Sequence, residues 1–366
     1  MRRLTLHVGL HKTGTSFQQR LLVENRGLFA EAGLGFGPFQ NPVTGSHHPI
    51  LAAIEREGPE AVFARAAGIP GARLLISAEG LSGAMHERPG YLAAIHAAAA
   101  RHFEPHLVVF LRRQDFLKES VYAEAAKTWL DGGIHDDHHY DFDHAARLAQ
   151  FEAVFGPARV HVALYRDPGP NDLIGDLLAA AGTPIDRARL KEVAPLNVSM
   201  PRRKTLFLGQ MPKPRDAADD QDARAAPHFI ARVLAGSAAV ADDGGRFLMS
   251  PAERYALVAA HHAGNRALVE ARGLDAGPFL GLPEPDAPWT PPAPITAAEI
   301  AAVWRECLAA CFRSRRNPVA AARMAAQVSR LLRPMGRRLS QGSGKAPDAR
   351  ASEEPARAWY AVHNRR

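Results

Sequence analysis

The chain predicts a three-layer α/β/α fold with a parallel central sheet, opened by a P-loop-like strand-loop-helix and closed by a helical C-terminal part. Three observations carry this. Short apolar runs recur at 4–10, 73–77, 107–111 and 159–164, separated by Ala-rich helical stretches, the alternation of a parallel sheet covered on both faces. The clearest of them, Leu107–Leu111, is continuously apolar rather than alternating, as in strands buried on both sides. The first run ends in a glycine-bounded turn that leads into a helical pattern.

That first element is the most informative. Leu4 to Leu10 leads directly into His11-Lys12-Thr13-Gly14-Thr15-Ser16, and a helical pattern begins at Phe17. Unpaired amides and the positive end of a helix dipole converge at such a turn and cradle an anion. The ordinary nucleoside-triphosphate loop reads GxxxxGK[ST], with lysine immediately after the second glycine. Gly9 and Gly14 keep that spacing, but position 15 is Thr and the lysine stands earlier, at Lys12. The displacement argues against an ordinary ATPase and for a different phosphorylated donor.

The next elements follow in order. Residues 36–49, rich in Gly, Pro and His, read as a loop over the C-terminal edge of the sheet, where open α/β folds bind ligands. Residues 73–79, RLLISAE, read as a strand ending in a carboxylate, Glu79. The run Leu107–Leu111 ends in Arg112-Arg113, and a helical stretch with Ser120 and Tyr122 follows. A polar loop occupies 131–144, and beyond Pro201 the chain turns mainly helical, with a charged connection at 212–224. Residues 283–294, PEPDAPWTPPAP, read as a proline-rich linker. The domain reading is therefore a catalytic body over 1–282, the linker 283–294, basic C-terminal helices over 295–339, and a disordered basic tail over 340–366.

The turn Lys12-Thr13-Gly14-Thr15-Ser16 resembles the 5′-phosphosulfate loop of sulfotransferases that use 3′-phosphoadenosine 5′-phosphosulfate (PAPS). There a strand ends in Lys-[Ser/Thr]-Gly-Thr-[Ser/Thr]. That family grips the donor's 3′-phosphate with an arginine at a strand end and a serine eight residues later, and Arg112 and Ser120 have that spacing. Around Glu79 the sequence is similar to the "ISSE" strand end of bacterial members. Residues 160–182 resemble their downstream strand, tyrosine and "xxDLLxxxG" helix, and Asn197, Ser199 and Asn265-Arg266 fall where such sequences carry similar residues. The resemblance covers about residues 4–280.

What it implies is transfer of a sulfuryl group from PAPS to a hydroxyl (or amine) of a carbohydrate, glycolipid or small-molecule acceptor, releasing adenosine 3′,5′-bisphosphate (PAP), with no metal required. Lys12 would neutralise charge on the leaving phosphate, and the amides of residues 13–16 with the hydroxyls of Thr15 and Ser16 would hold the 5′-phosphate. Arg112 and Ser120 would take the 3′-phosphate, and Arg113 either joins them or points to solvent. For the base that deprotonates the acceptor, Glu79 and His48 lead, ahead of His47 and His11; Glu79 could equally cap the next helix or pair with Arg112. Relatives close the nucleotide pocket with an Arg-Lys-Gly loop; Arg202-Arg203-Lys204 is the nearest basic cluster here, and no glycine follows it. Residues 135–144 hold four His and four Asp, but at irregular spacing, so acceptor contact is a better reading than a metal site. Acceptor choice is expected to lie in the loops 36–49, 131–144 and 197–230.

Two other functions share the motifs. A P-loop small-molecule kinase would need a lysine after Gly14 and a magnesium-binding aspartate at the end of the Leu107–Leu111 strand, and neither is present. A non-catalytic module would bind 3′,5′-nucleotides and transfer nothing.

Bulk properties narrow the setting. The net charge of +7 is a property of the C-terminal segment: residues 313–366 hold 13 Lys/Arg against 3 Asp/Glu, leaving 32 against 35 elsewhere. A near-neutral body does not call for nucleic acid as a partner. The only cysteines, Cys307 and Cys311, stand four apart on a helical face, as small core residues. A short first apolar run leading into the phosphate loop reads as cytoplasmic rather than as a signal. Residues 319–332 place Met324, Val328, Leu331 and Leu332 near one helical face with Arg323 and Arg330 on the other, suited to packing back on the body or to peripheral contact with an anionic membrane.

Overall fold

The computed structural model describes residues 1–366 except 137–139, 168, 170, 194–198, 214–220, 315–317 and 341–366. Five parallel strands form one sheet: β1 (Arg2–His7), β2 (Leu34–Phe36), β3 (Arg73–Ser77), β4 (Phe103–Arg112) and β5 (Val160–Tyr165), in the order β2-β3-β1-β4-β5. Helices cover both faces, and the chain beyond residue 200 is helical, so the α/β class and the helical C-terminal part stand as expected.

The side chains of β4 explain the unbroken apolar run. Leu107, Val109 and Leu111 enter one core cluster with Leu4, Leu6, Leu74 and Ile76. Val108 and Phe110 enter the opposite one with Leu75, Leu22 and Leu177. Successive residues of a strand point to opposite faces, so a strand covered on both must be apolar throughout.

Two details differ from the sequence reading. β2 is an edge strand of three residues, Leu34 paired with Arg73 and Phe36 with Leu75, just ahead of the loop read at 36–49 and sharing only Phe36 with it. Three residues carry no period for a pattern to register. β4 starts at Phe103 rather than Leu107; Pro105 and His106 mask its first half, and both are buried.

Register aligns the strand ends that matter. His7 of β1 lies level with Ser77 of β3 and Val108 of β4. After β1 the chain crosses to the β2 side and after β4 to the β5 side, so the crevice between the C-terminal ends of β1 and β4 is the sheet's topological switch point. The loop that carries Lys12 and the end of β4 at Arg112 both open there.

The third core cluster builds the C-terminal part. Tyr122, Ala125 and Ala126 of the helix Gln114–Thr128 pack with Phe207, Leu208, Ile230, Val303, Cys307, Val328 and Leu332. Met324, Val328, Leu331 and Leu332, on the apolar face of the helix Pro318–Ser340, are therefore buried against the body, and both cysteine thiols lie buried in the same seam. Residues 283–294 form no helix or strand, yet Trp289 Nε1 donates to the Phe247 carbonyl at 3.3 Å. No helix among the described residues is long and apolar enough to cross a membrane. The tail, apart from Ser340, and Asn197 lie outside the described residues.

Candidate active site

The turn after β1 is built on left-handed backbone. Gly9 (φ +46°) and Gly14 (φ +82°) take it freely, but Lys12 sits at φ +67°, a conformation that costs an L residue roughly 1–2 kcal/mol. Gly14 then serves as the N-cap of the helix Thr15–Glu24, and the amides of Phe17 and Gln18 fold back onto its carbonyl at 3.1 and 3.2 Å. The amides ahead of them, at Thr15 and Ser16, have no helical carbonyl to reach and remain for an anion.

Around this turn lies a cavity of about 480 Å³, whose wall includes Lys12, Gly14, Thr15, Ser16, Glu79, Arg112 and Ser120. Seven residues singled out in the sequence, from four separate segments, thus meet at one place. Arg112 ties two of the segments together, its Nη1 donating to the Lys12 carbonyl at 3.0 Å while its guanidinium lies 5.0 Å over the Tyr165 ring. Thr13 differs from its neighbours: its hydroxyl turns inward to the Leu10 carbonyl at 2.6 Å.

Lys12 Nζ reaches Glu124 at 2.8 Å, and Lys127 reaches the same carboxylate oxygen at 3.1 Å. Burial alone would push Glu124 up, but the two ammonium groups outweigh it and hold its carboxyl down at about 2. Glu124 was not singled out in the sequence. Its signal is the spacing: four residues after Ser120, it shares a helical face with it.

Glu79 follows the end of β3 with its carboxylate in the cavity wall, 3.3 Å from His11 Nδ1. Burial raises its pKa, and the hydrogen bond from His11 with the charges of His11, His48 and Lys12 brings it below the ordinary value. Its partner is His11 rather than Arg112, and although it occupies the N-cap position of the helix Gly80–Glu87, its side chain makes no cap. His48 stands beside this group but is solvent-exposed at the start of the helix Pro49–Glu57. His47 is fully buried, its Nδ1 accepting the Ser77 amide at 3.1 Å; burial lowers it to about 4, which keeps it neutral and structural.

Several basic residues that looked available are committed elsewhere. Arg113 forms a buried two-point pair with Asp115 at 2.7 and 2.9 Å and donates to the carbonyls of Pro278 and Gly281, so it neither joins the site nor faces solvent. Arg203 is spent on Glu299 and three carbonyls, and Lys204 on the carbonyls of Ala235 and Ser237. Of that cluster only Arg202 reaches the cavity wall, and Asp243 binds it at 2.8 Å. Asn265 is likewise structural, paired with Gln114 at 3.0 Å in both directions. Ser199 does line the cavity.

The late part of the pocket comes from a segment the sequence did not flag. Arg246, Phe247 and Leu248 line the cavity, and Glu119 Oε1 accepts the amides of Leu248 and Met249 at 2.9 Å each. Arg246 and Arg112 are bridged by Asp167, which pairs with both. In the loop 131–144, His144 donates Nε2–H to the Arg112 carbonyl at 2.8 Å and supports that strand end from behind. Among the described residues no cluster of His, Cys, Asp and Glu gathers to hold a metal; Asp137, His138 and His139 lie outside them.

No protein-family model matches the chain, and no curated protein does. Among solved structures, the chain is similar to a sulfotransferase from Alicyclobacillus acidocaldarius, at 14% identity over 63% of this chain and 94% of that one, with a TM-score of 0.34, too slight a likeness to bear on function.

Proposed function

We propose that the chain is a PAPS-dependent sulfotransferase, acting on a hydroxyl or amine of a carbohydrate, glycolipid or small molecule. The observation that carries this is the meeting of the displaced-lysine turn and the Arg112/Ser120 pair on one cavity at the β1/β4 switch point, joined by the Arg112–Lys12 hydrogen bond.

The chemistry follows from the parts. The acceptor oxygen attacks sulfur, the bond from sulfur to the bridging phosphate oxygen breaks, and the electron pair stays on the leaving phosphate. Lys12 and the helix N-terminus at Thr15–Ser16 face that developing charge. The acceptor proton goes to a carboxylate or imidazole; Glu79, ionised and hydrogen-bonded to His11, is placed for it, with His48 beside them at the rim. Lys12 must leave Glu124 to serve the donor, and Lys127 remains to hold that carboxylate. Arg112 with Ser120 grips the 3′-phosphate.

Calorimetric titration with adenosine 3′,5′-bisphosphate beside Mg-ATP, on wild type and Arg112→Ala, tests the reading. Binding of the bisphosphate that is lost in the variant supports it. Preference for Mg-ATP would replace it with a P-loop kinase, and bisphosphate binding without transfer to any acceptor in a broad panel would reduce the chain to a nucleotide-binding module.

A further inference from the structure

Within the donor-site reading just given, one carboxylate stands where the donor's own anion has to go. Asp167 follows β5 on a turn stapled by Asn171, whose Oδ1 accepts the Arg166 amide at 2.6 Å and whose Nδ2 donates to the Arg166 carbonyl at 2.8 Å. One oxygen of Asp167, Oδ2, pairs with Arg112, and the other, Oδ1, pairs with Arg246. The Arg112 and Asp167 side chains are nearly equally hidden, 13% and 14% exposed, whereas Arg246 is 54% exposed. Arg112 is also fixed by the Lys12 carbonyl and by the Tyr165 ring, so it cannot turn to a new anion and keep its hold on the carboxylate. One oxygen for each guanidinium is the way a phosphate engages two arginines.

We propose that Asp167 is a resident stand-in for the donor's phosphate. It keeps Arg112 and Arg246 aimed at one point, and any anion that uses them must displace it. A small anion gains little from that exchange, since one negative charge only replaces another. A nucleotide already anchored by its 5′-phosphate on the Lys12 turn presents its second phosphate at high effective concentration and can win. Asp167 is thereby a specificity-determining residue that keeps free sulfate and phosphate off the Arg112–Arg246 pair and leaves it to a second phosphate delivered by an anchored nucleotide.

The test is Asp167→Asn, which keeps the shape and removes the charge, with Asp167→Ser as a second variant should the first fold poorly. Calorimetry with adenosine 3′,5′-bisphosphate and adenosine 5′-monophosphate is paired with thermal melts in inorganic sulfate. The expected result is bisphosphate binding tighter by about tenfold or more, little change for the monophosphate, and a stabilisation by sulfate that wild type lacks. Adding Arg246→Ala should erase these gains. Unchanged or weaker bisphosphate binding in the Asp167 variants, with wild-type binding intact, would overturn the stand-in and spare the donor reading. No bisphosphate binding by any form, with sulfate still stabilising Asp167→Asn, would sink the donor reading and leave the stand-in. No response to either probe would remove both.

Discussion

Arg112 Nη1 donates to the carbonyl of Lys12 at 3.0 Å, so the residue expected to grip one end of the donor also fixes the backbone that presents the other. The loop after β1 and the end of β4 are thus one mechanical unit, set side by side by the parallel pairing of His7 with Val108. Arg112→Lys keeps the charge but cannot reach both the carbonyl and an anion with a planar fork. It should weaken bisphosphate binding by about 10- to 100-fold, and Arg112→Ala should weaken it further. Titration calorimetry reads both, and an Arg112→Lys variant that binds like wild type would show that charge alone suffices there.

Lys12 separates stability from function. At φ +67° a side chain is a cost, and glycine removes it. Lys12→Gly should be more stable than Lys12→Ala by about 1 kcal/mol in chemical denaturation, while both lose turnover by about 100- to 1,000-fold through the missing charge. Equal stability of the two variants would mean that the turn relaxes in their absence of lysine.

How much of this could be read from the chain depends on distance along it. Lys12 to Ser16 and Arg112 with Ser120 are local spacings at strand ends, and both were legible, because the strand-turn-helix geometry that gives them meaning is itself local. The fates of Arg113 and of Arg202 to Lys204 were not. Arg113 was claimed by Asp115 two residues on and by carbonyls at 278 and 281, and Arg203 by Glu299, partners that nothing in the local pattern marks. The same holds for Asp167 and Arg246, which matter only because β5 and the segment before the helix Pro251–Arg272 fold onto Arg112. Glu124 was within reach, since its spacing from Ser120 is helical, but nothing in the sequence says that Lys12 lies opposite. His47 and His48 are neighbours in the chain, but the Ser77 amide takes His47 into the core and leaves His48 at the rim.

The helix Pro318–Ser340 spends its apolar face on the body. Leu332 is 1% exposed, and Leu332→Ala should cost about 2–4 kcal/mol, whereas Arg330→Ala on the exposed face should change stability by less than about 0.5 kcal/mol. With that face packed, attraction to anionic vesicles rests on charge alone, and salt at about 0.5 M should release it in a sedimentation assay. Binding that survives such salt would mean that the helix leaves its packing to insert.

Glu119 gives the chain a pH signature. Burial pushes its carboxyl up to about 7 from an ordinary 4.5, against the two amides it accepts and the charge of Arg254. Between those two values the folded chain holds a proton that the unfolded chain has released, so this group stabilises the fold below pH 4.5 and its contribution is lost as pH rises through about 7. Glu119→Gln keeps an oxygen for the Leu248 and Met249 amides and has no charge to bury. It should match wild type near pH 4 and exceed it at pH 8 by about 1–2 kcal/mol, the full shift being discounted for partial solvent access. Because those amides seat Arg246 on the cavity wall, the variant should also bind the bisphosphate within about threefold of wild type. A stability difference that does not change between pH 4 and 8 would show that Glu119 titrates in the ordinary range and that the segment it holds is open to water.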